Sequence, residues 1–376
     1  MRIVTIVGTR PEAVKLAPVI HQLSKCGEAI DSIVCSTGQH REMLAQMFEL
    51  FQIKPDIQLN IMRADQSPSY IAARVLEELD NVFEKLRPDW VLVQGDTTTV
   101  MAAAIAANYR RLRVAHIEAG LRTYDRANPF PEEMNRVITD HVSDLHFAPT
   151  VKAKANLLRE GISEDSICVT GNTVIDALMM VINSPVPDGF DMFDGPKKII
   201  FVTAHRRENH GQPLINICNG LIELAENRDD IHIVYAVHQN PNVKTVVHDF
   251  LGSHKKITLL PPLGYLPMVH VMKRSTIILT DSGGIQEEAS YLGKPVLVLR
   301  KTTERSEAIE AGTARLVGVD SKNIVCEVKK LLDDEFAYEQ MAKAINPFGD
   351  GRASERIVAR LTGIHLQEPL AEWRYQ

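Results

Sequence analysis

Cysteines are few in this 376-residue sequence, and their spacing indicates no disulfide pairs. No C-x-x-C occurs, and the five are Cys26, Cys35, Cys168, Cys218 and Cys326. An odd, scattered set predicts reduced thiols and argues against a disulfide framework or a zinc site. The sequence also lacks an apolar run of the ~18 residues that a membrane helix needs, and it enters a strand pattern at once. We therefore expect a soluble, cytoplasmic protein.

Excess positive charge and the common cofactor motifs are also absent. The net charge is −6, whereas nucleic-acid binding needs clustered Lys and Arg. The loop after the first predicted strand has no G-x-G-x-x-G, so no nicotinamide site is expected. His205 and His210 do not fit H-E-x-x-H, and the H-x-E at 116–118 lacks the P-C-x-x-C of zinc deaminases. We expect neither a metal nor an organic cofactor.

What the sequence does contain is a repeated alternation of short apolar strands with helices. Such an alternation predicts α/β domains with parallel sheets, and the length allows two or three of them. A Pro-, Gly- and Asp-rich stretch at 183–196 predicts the boundary. We expect domains at 1–175, joined by a C-terminal helix 355–376, and at 190–354, with only helices after about residue 305. The predicted strands are 2–7, 31–36, 90–93, 113–117, 197–203, 231–237, 257–260, 276–279 and 296–299.

The stretch Thr280–Val296 is the strongest local signal. An apolar strand turns through Ser282-Gly283-Gly284 into a helix, which leaves amide N–H groups free at the positive end of the helix dipole. Glycine lets a phosphate approach the backbone closely, and Glu288 lies one turn further, at a distance suited to a ribose hydroxyl. The alternative is an ordinary turn that uses glycine for its shape.

Carboxylates follow two strands of the amino-terminal half. Asp96 and Glu118 each come at the carboxyl end of a strand, the edge at which open α/β sheets bind ligands. Paired carboxylates suit general acid–base chemistry. Each also has a structural alternative, a helix cap for Asp96 and an ion pair for Glu118. Glu132 and Arg136 lie four residues apart and share a helix face, which a solvated helix start would equally explain.

Basic and imidazole side chains follow other strands. Arg10 and Lys15 come after the first strand, and His205 with Arg206 after the first strand beyond 183–196. His238 follows the next strand, where a lone histidine would more often be structural. Because these groups gather at strand exits of two α/β halves, we expect a ligand held in the cleft between the domains, a nucleotide carrying a reactive group.

A set of motifs spread over residues 8 to about 318 resembles the non-hydrolysing UDP-N-acetylglucosamine 2-epimerase family. The motifs are GTRPEAVKLAP, TGQHREML, GDTTT, HIEAGLRT, PFPEEMNR, TGNTVIDA, HRREN, VHQNPNV, TDSGGIQEEA, LGKPVLVLR and TTER…EAGT. The resemblance implies two Rossmann-like domains facing a central cleft, a glycosyltransferase-B-like fold, and a homodimer. It implies interconversion of UDP-GlcNAc and UDP-ManNAc without metal or nicotinamide, to supply ManNAc for bacterial surface polysaccharides.

The chemistry that the family implies explains the residue types. No carbonyl acidifies the proton on carbon 2, so the route without a nicotinamide expels UDP from carbon 1 while a base removes that proton. UDP then adds back to the 2-acetamidoglucal as a proton returns to the other face. This route needs carboxylates near the sugar, cations at the diphosphate and a closed site.

Residue roles carry over from the family by motif. The acid–base carboxylates are Asp96, Glu118 and Glu132, with His205 assisting the leaving group and no sugar face assigned to any carboxylate. The substrate-binding residues are Arg10, Lys15, Arg136, His238, Leu263, Met268, Ser282, Gly283, Gly284, Glu288 and Arg305. Some bacterial members bind a second UDP-GlcNAc as an activator, and the matching residues here are Gln39, His40, Arg206 and Glu208.

Departures from the family pattern include Ser290, Lys301, Ser306 and Pro68, and none removes a proposed catalytic group. Two other functions remain open at this point. One is a UDP-sugar transferase on the same fold, which would need an acceptor. The other is a nucleotide-sugar sensor without catalysis, although it would not need three carboxylates and a histidine.

Overall fold

The computed structural model describes residues 1–38, 41–61, 63, 66–187, 189–190, 195, 197–364 and 371–373, with no side chains described for 41–43. The chain divides into two compact units. Unit 1 is Met1–Met180 with Phe348–Gln376, and unit 2 is Val181–Pro347. The chain passes from one unit to the other at 180/181 and back at 347/348. The first crossing lies before the predicted second domain, 190–354, and the second crossing lies within it.

Unit 1 contains a parallel sheet of seven strands among its described residues, in the order β3-β2-β1-β4-β5-β6-β7. Its central strands are almost wholly buried because helices cover both faces, and their sequences are accordingly runs of Val, Ile and Leu. The strands are β1 (Arg2–Val7), β2 (Asp31–Ser36), β3 (Ile57–Gln58), β4 (Trp90–Gln94), β5 (Arg113–Ile117), β6 (Leu145–Ala148) and β7 (Ile167–Val169).

Helices connect the strands of unit 1, and the last helix of the chain returns to it. Pro11 lies in the first turn of α1, where its missing N–H costs nothing. The helices are α1 (Arg10–Ser24), α2 (Arg41–Leu50), α3 (Pro68–Leu86), α4 (Thr98–Tyr109), α5 (Glu132–Val142), α6 (Val151–Arg159) and α7 (Thr173–Val181), whose last residue already belongs to unit 2.

Unit 2 has the same α/β architecture, with a parallel sheet in the order β10-β9-β8-β11-β12-β13. The strands are β8 (Lys198–Thr203), β9 (Ile231–Ala236), β10 (Ile257–Leu260), β11 (Ile277–Thr280), β12 (Val296–Val298) and β13 (Ala314–Leu316). The helices are α8 (Gln212–Asn227), α9 (Pro241–Leu251), α10 (Tyr265–Arg274), α11 (Gly283–Tyr291), α12 (Ser306–Glu310), α13 (Ser321–Asp333) and α14 (Glu335–Ala342). The α/β fold class is confirmed.

Two sequence expectations about the carboxyl-terminal part are wrong. The stretch after residue 305 is not only helical, because β13 pairs with β12; its three residues are too few to show an alternating pattern. The last helix, α15 (Ala353–Thr362), ends well before residue 376 because Gly363 adopts a left-handed φ of 73° that terminates it. Beyond it, the Trp373 amide donates to Val169 at the end of β7.

The return of α15 to unit 1 is fixed by a buried carboxylate. Asp176 on α7 accepts hydrogen bonds from the amides of Ala353 and Ser354 and from the Ser354 hydroxyl, at 2.6–3.2 Å. These are the free amides at the start of α15, so Asp176 satisfies a helix end from another part of the chain. Among the described residues, no helix is long and apolar enough to cross a membrane.

Candidate active site

In both sheets the strand order reverses at one point, and most predicted site residues lie beside it. The reversal falls between β1 and β4 in unit 1 and between β8 and β11 in unit 2. Loops that leave the carboxyl ends of the two strands diverge there, which opens a crevice for a ligand. Each unit therefore has its own candidate site.

In unit 1, Glu118 follows β5 and has an unusual backbone conformation. Its φ is +68°, a left-handed value that costs a side-chain-bearing residue energy and that often marks a functional position. One carboxylate oxygen, Oε2, accepts from Lys15 Nζ at 2.5 Å and from Gln94 Nε2 at 2.6 Å. The ion-pair alternative for Glu118 is thus present, with Lys15 as the partner, and it places this carboxylate at a defined position.

Asp96 follows β4 and is held by Arg136 of α5. Arg136 Nη2 lies 2.6 Å from Asp96 Oδ2, and its Nη1 donates to Glu133 at 2.9 Å. Glu133 is buried and also accepts from the amides of Thr123 and Tyr124. Arg136 therefore pairs with Asp96 and Glu133, not with Glu132 as their shared face suggested.

The helix-cap alternative for Asp96 is wrong, because the side chain of the next residue, Thr97, accepts from Val100 N and caps α4. Asp96 remains 31% exposed at its side chain. Its carboxylate is thus both oriented by Arg136 and open to a ligand.

Glu132 is the first residue of α5 and is partly exposed. Its carboxylate has no hydrogen-bond or ion-pair partner among the residues that the structure describes, so it differs from Asp96 and Glu118. Arg10 is the first residue of α1, directly after the loop that follows β1. All six predicted residues of unit 1 that are described lie at the carboxyl edge of its sheet; Gln39 and His40 lie outside the described residues.

A buried carboxyl group that the sequence did not single out joins the two loops at the unit 1 reversal. Glu12 on α1 accepts from Gly8 N at 2.6 Å and, after β4, from the Thr97 hydroxyl at 2.8 Å. The Thr9 hydroxyl donates to it at 2.9 Å. Burial raises the pKa of Glu12 from 4.5 to about 7, against these hydrogen bonds, which lower it.

A second buried network, of hydrogen bonds and ion pairs, contacts the Gly95–Asp96 turn. His116 on β5 lies with Nδ1 2.6 Å from Asp140 Oδ1 and with Nε2 2.7 Å from the Gly95 carbonyl. Asp140 also accepts from Arg122 at 2.7 Å. Burial raises the pKa of Asp140, but His116 and Arg122 lower it more, to about 2. The histidine of the H-x-E pattern at 116–118 therefore has a structural role.

In unit 2, the loop after β11 leads into α11 as the sequence predicted. Ser282 precedes the helix with its side chain uninvolved in capping, and Gly283 and Gly284 are the first two helical residues. The first amides of a helix have no acceptor inside it, so they are available to an anion. A Cβ built on Gly284 would meet no described atom within 4 Å, which leaves room for a phosphate there.

His205 follows β8, beside this helix start. Its ring stacks on the ring of His238, which follows β9, at 5.2 Å between centroids and 15° between planes. Burial lowers the pKa of His205; Asp281 opposes this, and His238, Arg206 and His210 add to it. His205 and His238, which were predicted from separate motifs, therefore form a stacked pair.

Glu288 lies on α11, and its Oε1 accepts from the hydroxyl of Tyr265 at 2.6 Å. Both residues are buried. Tyr265 opens α10, and two predicted residues flank it: Leu263, which is buried before the helix, and Met268, which is half-buried on it. Tyr265 had no signal in the sequence beyond its place between these two residues.

The predicted activator residues of unit 2 lie in a network of ion pairs. Arg206 pairs with Glu304 at 2.9 Å, and Glu208 with Arg300 at 2.6 Å. Arg300 joins the two pairs by contacting Glu304 at 2.6 Å. Burial raises the pKa of Glu304, but Arg305, Arg206 and Arg300 lower it to well below its ordinary value.

Arg305, a predicted substrate residue, belongs to the same network through an ion pair with Glu287. The sequence did not predict the ion pairs of Arg300, Glu304 and Glu287, because a motif does not state which charges meet. Among the described residues, no group of three or more His, Cys, Asp and Glu side chains is arranged to hold a metal ion.

The chain is similar to known proteins over almost its whole length. The UDP-N-acetylglucosamine 2-epimerase family model matches residues 24–362. The UDP-N-acetylglucosamine 2-epimerase of Escherichia coli K12 is 50% identical over 370 residues, 96% of this chain and 98% of the relative. The crystal structure of the Neisseria meningitidis UDP-GlcNAc 2-epimerase bound to UDP-GlcNAc matches with a TM-score of 0.92 at 49% identity, covering 97% of this chain and 100% of that chain.

A more distant likeness concerns the fold alone. The glycotransferase of kitacinnamycin matches with a TM-score of 0.66 at 13% identity, covering 96% of this chain and 99% of that chain. The two-unit architecture is thus the glycosyltransferase-B-like fold predicted from the sequence. At this identity the likeness gives no support to a transferase activity.

Proposed function

The chain belongs to the UDP-N-acetylglucosamine 2-epimerase family, and from this we propose that it interconverts UDP-GlcNAc and UDP-ManNAc by eliminating UDP and adding it back. The observation that carries the proposal is the pair of held carboxylates at the edge of the unit 1 sheet. Glu118 is fixed by Lys15 and Gln94, and Asp96 by Arg136. Inversion at carbon 2 needs oriented proton acceptors and donors at the sugar, and these groups supply them.

We assign the proton transfers at carbon 2 to unit 1. In the forward direction a carboxylate takes the proton from carbon 2, the bond between carbon 1 and the diphosphate oxygen breaks, and 2-acetamidoglucal and UDP result. In the return step UDP attacks carbon 1 while a carboxylic acid delivers a proton to the opposite face of carbon 2. Asp96, Glu118 and Glu132 are the groups that do this work. Arg10, Lys15 and Arg136 orient them and the sugar.

We assign the leaving group to unit 2. The Ser282 hydroxyl and the amides of Gly283 and Gly284 at the start of α11 bind the diphosphate, because the Ser282 amide already donates to the Thr280 hydroxyl. Arg305, whose guanidinium lies beside Gly283, is the nearby cation. Such a site accelerates the reaction mainly by stabilising the negative charge that develops on the departing diphosphate. His205, stacked on His238, donates to the diphosphate as it leaves. Glu288 binds the ribose, and Leu263 and Met268 flank the uracil.

Four finer features are also proposed. A second UDP-GlcNAc binds as an activator at Arg206 and Glu208, where its diphosphate replaces carboxylates of the ion-pair network. We expect the rate to depend sigmoidally on the UDP-GlcNAc concentration and Arg206→Met to abolish this dependence. The protein forms a homodimer, which sedimentation will measure. It acts in the cytoplasm, consistent with its free cysteines, and supplies ManNAc units for surface polysaccharide.

The test of the proposed reaction is an incubation with UDP-GlcNAc in heavy water, without any acceptor, followed by proton NMR. We expect UDP-ManNAc to form and both epimers to carry deuterium at carbon 2. No exchange at any substrate concentration would exclude the reaction. Turnover that begins only when an acceptor sugar is added would indicate a transferase, and UDP-GlcNAc binding without turnover would indicate a sensor.

A further inference from the structure

Asp281, at the end of β11, is a fully buried carboxylate whose two oxygens have different surroundings. Oδ2 accepts three hydrogen bonds, from the amides of His205 and Arg206 at 2.8 and 2.9 Å and from Asn209 Nδ2 at 2.9 Å. Oδ1 accepts none from the described residues. A buried carboxylate oxygen without a donor is costly, so its presence calls for an explanation.

The nearest donor to the unpartnered oxygen is the ring of His205. His205 Nδ1 lies 3.5 Å from Asp281 Oδ1, about 0.5 Å beyond an ordinary hydrogen bond. The backbone amide of the same histidine is already held by the other oxygen of the same carboxylate. Shortening this one distance by about 0.5 Å would complete the hydrogen bond.

We propose that Asp281 is the positioning residue of His205: its Oδ1 accepts a hydrogen bond from Nδ1–H and so fixes the ring with Nε2 as the atom that gives a proton to the departing diphosphate. This inference rests on the proposed role of His205 in assisting the leaving group. His238, stacked on the ring, fixes its plane. In serine proteases a buried aspartate has the same effect on its histidine.

The charge balance around His205 explains why a carboxylate is needed. Three cationic or titratable neighbours face it: His238, Arg206 and His210. Together with burial they lower the pKa of His205, whereas the negative charge of Asp281 raises it. Asp281 thus opposes part of this lowering. As the bond to carbon 1 breaks, Nε2 passes its proton to a diphosphate oxygen, and it takes that proton back when UDP adds again.

The test is Asp281→Asn, which is nearly isosteric. The asparagine oxygen can accept from the same three donors, whereas its NH₂ group faces Nδ1 and cannot stabilise the imidazolium. We expect kcat to fall by about 10²-fold or more, with the Kd for UDP unchanged. Because a negative charge is lost, the alkaline limb of the pH profile of kcat should move to lower pH.

Two comparisons separate positioning from a loss of structure. In a His205→Gln background, Asp281→Asn should cause no further fall in kcat, since its effect acts through the ring. Asp320→Asn, the same change at the N-cap of α13 in the same unit, should leave kcat unchanged because asparagine caps equally well. An unchanged kcat and pH profile for Asp281→Asn would overturn the proposal, as would an equal loss with and without His205.

A separate result would show that the proposed role of His205, on which this inference rests, is wrong. If His205→Gln retains full activity, His205 does not assist the leaving group. The nitrogen and carbon chemical shifts of the labelled His205 ring, assigned with the His205→Gln variant, then decide the inference alone. A ring protonated on Nδ1 in the wild type, and a changed titration in Asp281→Asn, support positioning; identical titrations refute it.

Discussion

Lys15 Nζ lies 2.5 Å from Oε2 of Glu118, and the two side chains are only 13% and 7% exposed. The residues are 103 positions apart in the chain. Lys15 belongs to the helix after β1 and Glu118 to the loop after β5, with β4 between these strands in the sheet. The pair therefore connects the helix after β1 to the loop after β5, on either side of β4, the strand that precedes Asp96.

Lys15→Met should destabilise unit 1 because it leaves a buried carboxylate without its cation. The expected cost is about 3 kcal/mol, the scale for removing one partner of a buried pair. Adding Glu118→Gln should recover most of this loss, since the remaining side chain is then neutral. Urea unfolding followed by tryptophan fluorescence measures it selectively, because both tryptophans, Trp90 and Trp373, belong to unit 1.

The matched control for this pair is an exposed one on α3. Arg74 pairs with Glu77 and Glu78 at the surface, so Arg74→Met should cost less than about 1 kcal/mol. Equal losses for Lys15→Met and Arg74→Met would mean that the Lys15–Glu118 pair is not a buried interaction in solution.

Asp96→Asn should lower kcat by at least ~100-fold, the scale of general acid–base catalysis. Asparagine keeps the shape and can still accept from Arg136, but it cannot carry the proton. Initial rates with UDP-GlcNAc measure the effect. The control is Asp89→Asn, because Asp89 lies at the other end of the same strand, β4, where it accepts from Arg2 N. Near-normal turnover for Asp96→Asn would remove it from the acid–base group.

The sequence predicted the positions of these residues better than their partners. Strand exits were predictable because β-branched apolar runs determine the strands, and a parallel sheet sends every carboxyl end to one edge. The resemblance assigns Lys15 to the substrate, yet in the structure it pairs with Glu118. Nothing in a one-dimensional pattern states that a lysine on the first helix reaches a carboxylate that follows the fifth strand.

Buried polar groups were the most difficult to predict. Glu12 follows Pro11 at a helix start, where an acid is normally solvated and favoured by the dipole; only the fold shows that it is enclosed by Gly8, Thr9 and Thr97. Asp281 lies in a sequence that predicts a turn, although its oxygens bind the loop that carries His205. In both cases the functional information lies in a contact between loops that are distant in the chain.

Tyr265→Phe should weaken UDP binding by about 10-fold, since a buried hydrogen bond to a charged group contributes about 1.5 kcal/mol or more. In the proposed site the phenol holds the carboxylate that binds the ribose, so the loss should disappear with 2′,3′-dideoxyuridine diphosphate. Calorimetric titration of both nucleotides measures it. Tyr338→Phe, a half-buried tyrosine of the same unit, should change neither affinity. An equal loss for both nucleotides would separate Tyr265 from ribose recognition.

Glu12 makes the stability of unit 1 depend on pH in a direction opposite to that of a salt-bridged acid. Its pKa rises from 4.5 to about 7 on folding, with burial as the main cause. The native state therefore keeps the proton where the unfolded state has lost it. The stabilisation from this group is complete below pH 4.5 and is lost as the pH rises to about 7, a change of at most about 3 kcal/mol.

Glu12→Gln should remove this dependence because glutamine does not titrate. An amide has one acceptor oxygen where the carboxyl group has two, so it cannot accept from Gly8 N and the Thr9 and Thr97 hydroxyls together, and the variant should be less stable than the wild type at low pH. This penalty does not vary with pH, whereas the wild type loses stability between pH 4.5 and about 7. The difference between the two should therefore shrink toward neutral pH by up to about 3 kcal/mol. Urea unfolding by tryptophan fluorescence at several pH values across this window measures it; parallel curves would mean that Glu12 is ionised in the native state throughout, and its burial would then need a cation that binds beside it.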